Sequence, residues 1–181
     1  MAKVIFDDFL AVVHYPGFKE AGYLWIDAYR KQHDHYYHLI DEHFSLVFPV
    51  YDMEEAEFIE EVKTCAEGFA KFDYRIKCAI RSNDLTNEYW HVLLVPDEGF
   101  SEVVKLHSAL YSGRLRKYER LDLDFIPHVG LANSTDPEAC KRMLDEVNAM
   151  DFDIRGTIDR LDIIQCKDNK ISTLAEVDLQ G

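Results

Sequence analysis

Two histidines stand in the same local text. His43-Phe44-Ser45-Leu46 and His128-Val129-Gly130-Leu131 each read histidine, apolar residue, small residue, leucine, roughly 80 residues apart. An imidazole with a pKa near neutrality either takes or gives a proton. A facing pair can therefore divide the hydrolysis of a phosphodiester, one neutral and removing the proton from water, the other protonated and donating to the leaving oxygen. A hydroxyl two residues on, as at Ser45, would hold a nonbridging phosphate oxygen as charge develops. That chemistry calls for neither metal nor cofactor. A single histidine in a strand reads as a core or surface group; the pairing in equivalent positions is what carries weight.

The segments that follow the two histidines run in the same order. After each motif come a short loop, a helix opened by acids (after Asp52, after Asp136) and a strand, Phe72 to Ile80 in one case and Phe152 to Ile164 in the other. Two similar units suggest a duplication. Residues i and i+2 of a strand share a face, so His43 and Ser45 point one way while Phe44 and Leu46 point into the core. The same parity pairs His128 with Gly130. If the repeats face each other about a pseudo-twofold axis, both imidazoles converge on one cleft.

Hydrophobic periodicity predicts the elements that must hold these residues. Strands are expected at Leu10 to His14, Phe44 to Val50, Asp73 to Ile80, Tyr89 to Val95, Phe125 to Ala132 and Ile158 to Gln165. Helices are expected from about Phe18 to Arg30, from Asp52 to Ala70, from Ser101 as N-cap, and from Thr135-Asp136-Pro137 to about Met150. Several strands alternate in polarity and helices are fewer than strands, which favours α+β over a parallel α/β sheet.

A chain of 181 residues with 48% hydrophobic content fills one core. No linker or low-complexity tract divides it, so 1–181 reads as a single domain, with two lobes. The opening MAKVIFDDFL has aspartates where a signal peptide would stay apolar, and no run approaches the ~18 apolar residues of a membrane span. An unprocessed soluble chain is expected. Cys65, Cys78, Cys140 and Cys166 form no C-x-x-C pair, which points to reduced thiols and the cytoplasm. With 34 acids against 20 bases the formal net charge is −14. That repels a polyanion and disfavours an extended nucleic-acid groove, but not a small phosphorylated ligand.

The flanking text F-S-L-V-F-P-V after His43 and F-I-P-H-V-G-L-A around His128 resembles the two motifs of the two-histidine phosphoesterases. These are the relatives of 2′-5′ RNA ligases and cyclic nucleotide phosphodiesterases. The resemblance covers roughly Ala11 to Lys167. It implies a bilobal fold of duplicated β-α-β units with antiparallel sheets flanking a central cleft. It also implies catalysis by His43 and His128, phosphate binding at Ser45 and Gly130, and substrates such as nucleoside cyclic phosphates or 2′-5′ linkages. Gly130 departs from the pattern, because the second motif usually carries Thr or Ser there. Loss of one oxyanion donor commonly costs ~10²–10³ in rate. A nucleotide- or RNA-binding member that has lost efficient catalysis is therefore the alternative, as is a cleft opened for a bulkier substrate.

Other residues have weaker readings. His33, His35 and His38 with Asp34 form an H-x-H-x-x-H run that suits zinc or nickel, but a polar aromatic connection is the better reading. Tyr36 and Tyr37 in that run are candidate stacking partners for a base. His14 and His91 would line the cleft if their strands adjoin the motif strands. Arg114, Arg116, Lys117 and Arg120 form the one basic cluster.

Overall fold

The computed structural model describes residues 7–83 and 88–181. The chain runs β1 (Phe9–His14), α1 (Leu24–His33), β2 (Phe44–Val50), α2 (Glu55–Ala66), β3 (Phe72–Asn83), β4 (Trp90–Glu98), α3 (Phe100–Leu110), a 3-10 helix (Arg114–Tyr118), β5 (Val129–Ser134), α4 (Pro137–Asn148), β6 (Ile154–Ile158), β7 (Arg160–Lys167) and β8 (Lys170–Asp178). The expectation drawn from the first ten residues falls largely outside the described ones.

The eight strands lie in the order β6-β3-β4-β5-β2-β1-β7-β8. Every neighbouring pair is antiparallel. Two four-stranded halves therefore meet at the motif strands, β5 of one against β2 of the other, through the single pair Phe44↔Val129. The fold is α+β with duplicated units, as expected. Each half lends a helix to the other: α1 packs on β5, and α3 packs on β2.

The main core lies between the sheet and the helices, with Phe44, Leu46, Val129 and Leu131 wholly buried in it. Strand parity decides the rest. On β1, Leu10 and Val12 join that core, whereas Ala11 and Val13 form a second apolar cluster with Ile164, flanked by Phe9, Ile40 and Ile171.

Several boundaries differ from expectation for local reasons. Helix α1 begins at Leu24 rather than Phe18, because Gly17 and Gly22 take positive φ values of 60° and 89° and the segment between them is spent on turns. Helix α3 is capped by Gly99 and not by Ser101, which lies inside it. Gly99 has φ 82°, and a Cβ there would sit 2.6 Å from the Asp73 carbonyl oxygen, so only glycine fits. Strand β5 starts at Val129 instead of Phe125: Pro127 has no N–H to give a ladder, and the Phe125 ring stacks on His107 with centroids 3.6 Å apart. The expected strand Ile158 to Gln165 is β7, but the longer segment Phe152 to Ile164, expected to follow the second motif helix as one strand, is split at Asp159 into β6 and β7, which go to opposite halves of the sheet. Strand β8 was not expected at all. It returns from β7 through Asp168 and Asn169, both in the left-handed region, as a two-residue hairpin of the primed kind requires. Helix α4 is as expected, with Asp136 Oδ1 accepting from Glu138 N at 2.9 Å and Pro137 in the first turn.

Candidate functional site

His43 and His128 each stand one residue before a motif strand, next to the pair that joins the halves. Because the pairing is antiparallel, the register Phe44↔Val129 sets His43 opposite Gly130 and Ser45 opposite His128. The two histidines are then diagonal neighbours on one face, a relation that places residues ~7–8 Å apart with their Cβ atoms somewhat closer. All four residues line one cleft of about 690 Å³. The structure thus brings together every residue singled out from the two motifs.

The two imidazoles are held alike. His43 Nδ1 lies 2.8 Å from the Asp41 carbonyl oxygen, and His128 Nδ1 lies 2.6 Å from that of Ile126. In both cases the partner is two residues upstream. A carbonyl can only accept, so Nδ1 carries the proton and Nε2 is left with its lone pair for the cleft. Burial pushes His43 down to about 4, with the Arg30 guanidinium and His128 adding to it against the Asp41 carbonyl. His128 is also pushed below its ordinary value of 6.5, by burial first and by nearby His91. Both shifts favour the neutral form of the rings. An anion bound between them would raise both.

The wall beside His43 is a buried ionic network that the sequence did not announce. Arg30 is only 2% exposed; it pairs with Asp34 at 2.8 Å and Glu42 at 3.2 Å and donates to the Ile40 carbonyl at 2.8 Å. Asp34 in turn accepts from Asn133 Nδ2 at 2.8 Å, and Asn133 Oδ1 accepts from the His35 N–H at 3.1 Å. The connection from α1 to β2 is thereby stitched to β5 of the other half. Arg30, Asp34 and Asn133 all line the cleft. The available signal was an arginine four residues after buried Ile26 on α1, with an acid four residues further on.

The weaker candidates separate. The histidine run is an aromatic wall: His35 packs on Tyr36 and Tyr89, Tyr36 stacks on His91 with centroids 6.4 Å apart, and His33 packs on Tyr29. Among the described residues no group of three or more His, Cys, Asp or Glu side chains gathers as a metal site. Tyr36 and His91 line the cleft, whereas Tyr37 does not: its hydroxyl donates to Asp27, and its ring lies under the outer side of the Arg30 guanidinium. His14 faces the helix side, buried against Phe44 with Nδ1 at 2.9 Å from the Arg160 carbonyl, and is structural. Of the basic cluster only Arg120 reaches the cleft, where it is clasped by Asp122; Arg114 is tied to Glu57 and Glu61 behind it.

Gly130 has no structural need to be glycine. Its φ is not positive and an added Cβ would meet nothing within 4 Å. The missing hydroxyl therefore leaves open space over the cleft, opposite His43.

A family model described as the 2′-5′ RNA ligase superfamily matches residues 18–170. The chain belongs to that superfamily. Its members' fold is also that of solved structures of low identity. Escherichia coli LigT complexed with NADP+ superposes with a TM-score of 0.59 at 13% identity, over 97% of this chain and 99% of that one. The LigT complex with 3′-AMP gives 0.61 at 14%, over 96% and 99%. TT0787 of Thermus thermophilus gives 0.61 at 14%, over 96% and 98%. No curated protein matches the chain significantly. The likeness to two-histidine phosphoesterases read from the motifs is borne out for the family and the fold. Among the described residues, no helix is long and apolar enough to cross a membrane.

Proposed function

We propose that this member of the superfamily is a metal-independent phosphoesterase acting on a small cyclic phosphate or nucleotide phosphodiester of the 2′,3′-cyclic or 2′-5′ type. The observation that carries the proposal is the pair of equivalent imidazoles, each with Nδ1 tied to a carbonyl and Nε2 free for one shared cleft. His43, with Arg30 beside it, is the ring that stays neutral and serves as base; His128 is the acid. Water attacks phosphorus as His43 Nε2 takes its proton. The bond from phosphorus to one ester oxygen breaks, and that oxygen receives the proton of His128 Nε2. Ser45 donates its hydroxyl to a nonbridging oxygen, and Gly130 offers the same oxygen set only backbone and space.

Superfamily membership supports a phosphoesterase or nucleotide-binding role, and LigT has been crystallised with 3′-AMP and with NADP+, both small nucleotides. The charge of −14 weighs against extended nucleic acid. Residues 1–181 would act as one two-lobed domain in the cytoplasm, with its thiols reduced. Gly130 favours one second reading, a nucleotide-binding chain with little catalysis.

Turnover of a panel of 2′,3′-cyclic nucleotides, with and without chelator, tests the proposal. Chelator-resistant hydrolysis supports it, binding without turnover supports the second reading, and chelator-sensitive turnover refutes the metal-independent mechanism.

A further inference from the structure

The two halves of the cleft are built on the same plan and differ in polarity. Val13 pairs with Ser45 on β2, and Leu93 pairs with Gly130 on β5, so Val13 and Leu93 occupy equivalent places. Two residues back along each strand stand Ala11 on β1 and His91 on β4. One strand further out, Ala11 pairs with Ile164 and His91 pairs with Ser82. At matching positions of a duplicated sheet, one half therefore presents alanine and isoleucine and the other histidine and serine. All four line the cleft.

The difference continues outward. Beyond Ile164 the first half adds Phe9, Ile40 and Ile171, half-buried and packed round Ala11 and Val13 as a cluster separate from the main core. Next to Ser82 the second half adds Asn83, and on the seam side of His91 its β5 partner Asn133. A phosphate held between His43 and His128 sends its two ester arms outward over opposite halves of the sheet. One arm meets hydrogen-bonding groups; the other meets mainly hydrocarbon, with Tyr51 at the Phe9 edge and Arg30, already paired to Asp34 and Glu42, beside Ile40.

Resting on the phosphodiester reading above, we propose that the cleft selects a phosphodiester with unlike arms. One arm is polar, a nucleoside lying over β4 and β3. The other is apolar, an alkyl or aryl group lying over β1, β7 and β8. A polar arm placed over Ala11 and Ile164 would lose its water without gaining partners. An alkyl arm there covers the half-buried edges of Phe9, Ile40 and Ile171, the usual source of apolar affinity.

The test uses the full chain and three adenosine 2′-phosphate esters, matching the 2′-5′ type of linkage: methyl, hexyl, and an ether-alcohol chain as long as hexyl. The hexyl ester should exceed the methyl ester in kcat/KM by on the order of 10- to 100-fold, the yield of covering part of five added methylenes. The ether chain should gain little. Ile171→Ser, at the half-buried rim of an edge strand, and Ile164→Ser, which copies the residue of the other half, should each bring the hexyl-to-methyl ratio toward one. Retained melting transitions would show that the folds stand. Turnover of all three esters at similar kcat/KM, or a ratio unmoved by both variants, overturns the apolar arm and leaves the phosphoesterase reading untouched. If no ester is hydrolysed, calorimetric binding decides separately: tighter binding of the hexyl ester supports the apolar arm while the catalytic reading fails, and equal binding overturns it.

Discussion

Gly130→Thr separates the two explanations for the one missing hydroxyl. The position lies in β5 with ordinary strand φ, and a Cβ built there meets nothing within 4 Å, so a β-branched side chain enters without displacing a neighbour. Glycine inside a strand costs about 0.5–1 kcal/mol relative to alanine, and threonine suits a strand better still. The melting temperature should therefore rise by roughly 2–4 °C for a chain of this size. The introduced hydroxyl would face the cleft opposite His43, as Ser45 faces it opposite His128. One oxyanion donor supplies ~10²–10³ in rate. With Ser45 already holding part of the developing charge, a gain of about 10- to 100-fold in kcat on a 2′,3′-cyclic nucleotide is expected. Steady-state kinetics beside a thermal melt read both quantities on one preparation. A chain that melts higher but turns the cyclic nucleotide over no faster would refute the missing-donor argument. Unchanged turnover of small substrates with loss of a bulky one would assign the glycine to making room.

His43→Ala and His128→Ala should each lower turnover by on the order of 10²–10⁴ with the fold intact by circular dichroism, and Ser45→Ala should also slow it; full activity in either histidine variant would end the mechanism. Because His43 is held down to about 4 and His128 below 6.5, the singly protonated pair of the free chain peaks between those values. The kcat/KM profile should be a bell with its maximum there, while kcat, read with a phosphate bound, shifts to higher pH; a kcat/KM that rises from pH 6.5 to 8 would contradict the assignment. The same depression means that the unfolded chain binds more protons at His43, so stability should fall as pH drops from 6.5 to 4, and fall less in His43→Gln, as denaturant titrations would show. Thiol titration under denaturing, non-reducing conditions should find four free thiols, since Cys65, Cys78, Cys140 and Cys166 are all unpaired; a recovered disulfide would count against the reduced state.

Much of the site was legible because strand parity is a local rule. His43 and Ser45 share a face whatever the rest of the chain does, and the repeated order of parts placed Gly130 and His128 in the matching register. Strand β2 and helix α4 were legible for the same reason, one from alternation and the other from Asp136-Pro137. Where a turn residue or non-local packing decides a boundary, the reading failed. Pro127 and the stacking of Phe125 on the distant His107 delay β5, and Gly22, in a left-handed turn, delays α1. The strand pair β7–β8 had a usable signal in Asp168-Asn169, two turn residues between runs of strand formers. Arg30 was not readable as part of a site, because its burial depends on Asp34, Glu42 and the reach of Asn133 from the other half.

The duplication accounts for the paired imidazoles, but a symmetric cleft would serve hydrolysis poorly. With identical halves, a phosphodiester would bind in two orientations related by the pseudo-twofold, and each histidine would have to be acid in one and base in the other. Three departures from symmetry remove that degeneracy. Arg30 sits beside His43, where it favours the neutral ring. Ser45 faces a glycine at its counterpart, so the donor lies on one side only. Ala11 and Ile164 stand where the other half has His91 and Ser82. Under the proposed selectivity, reversing the substrate would bury a polar arm against hydrocarbon and offer the reactive oxygens the wrong histidine. The scaffold sets the two rings at the seam, and the substitutions between the halves would give the proposed reaction its direction.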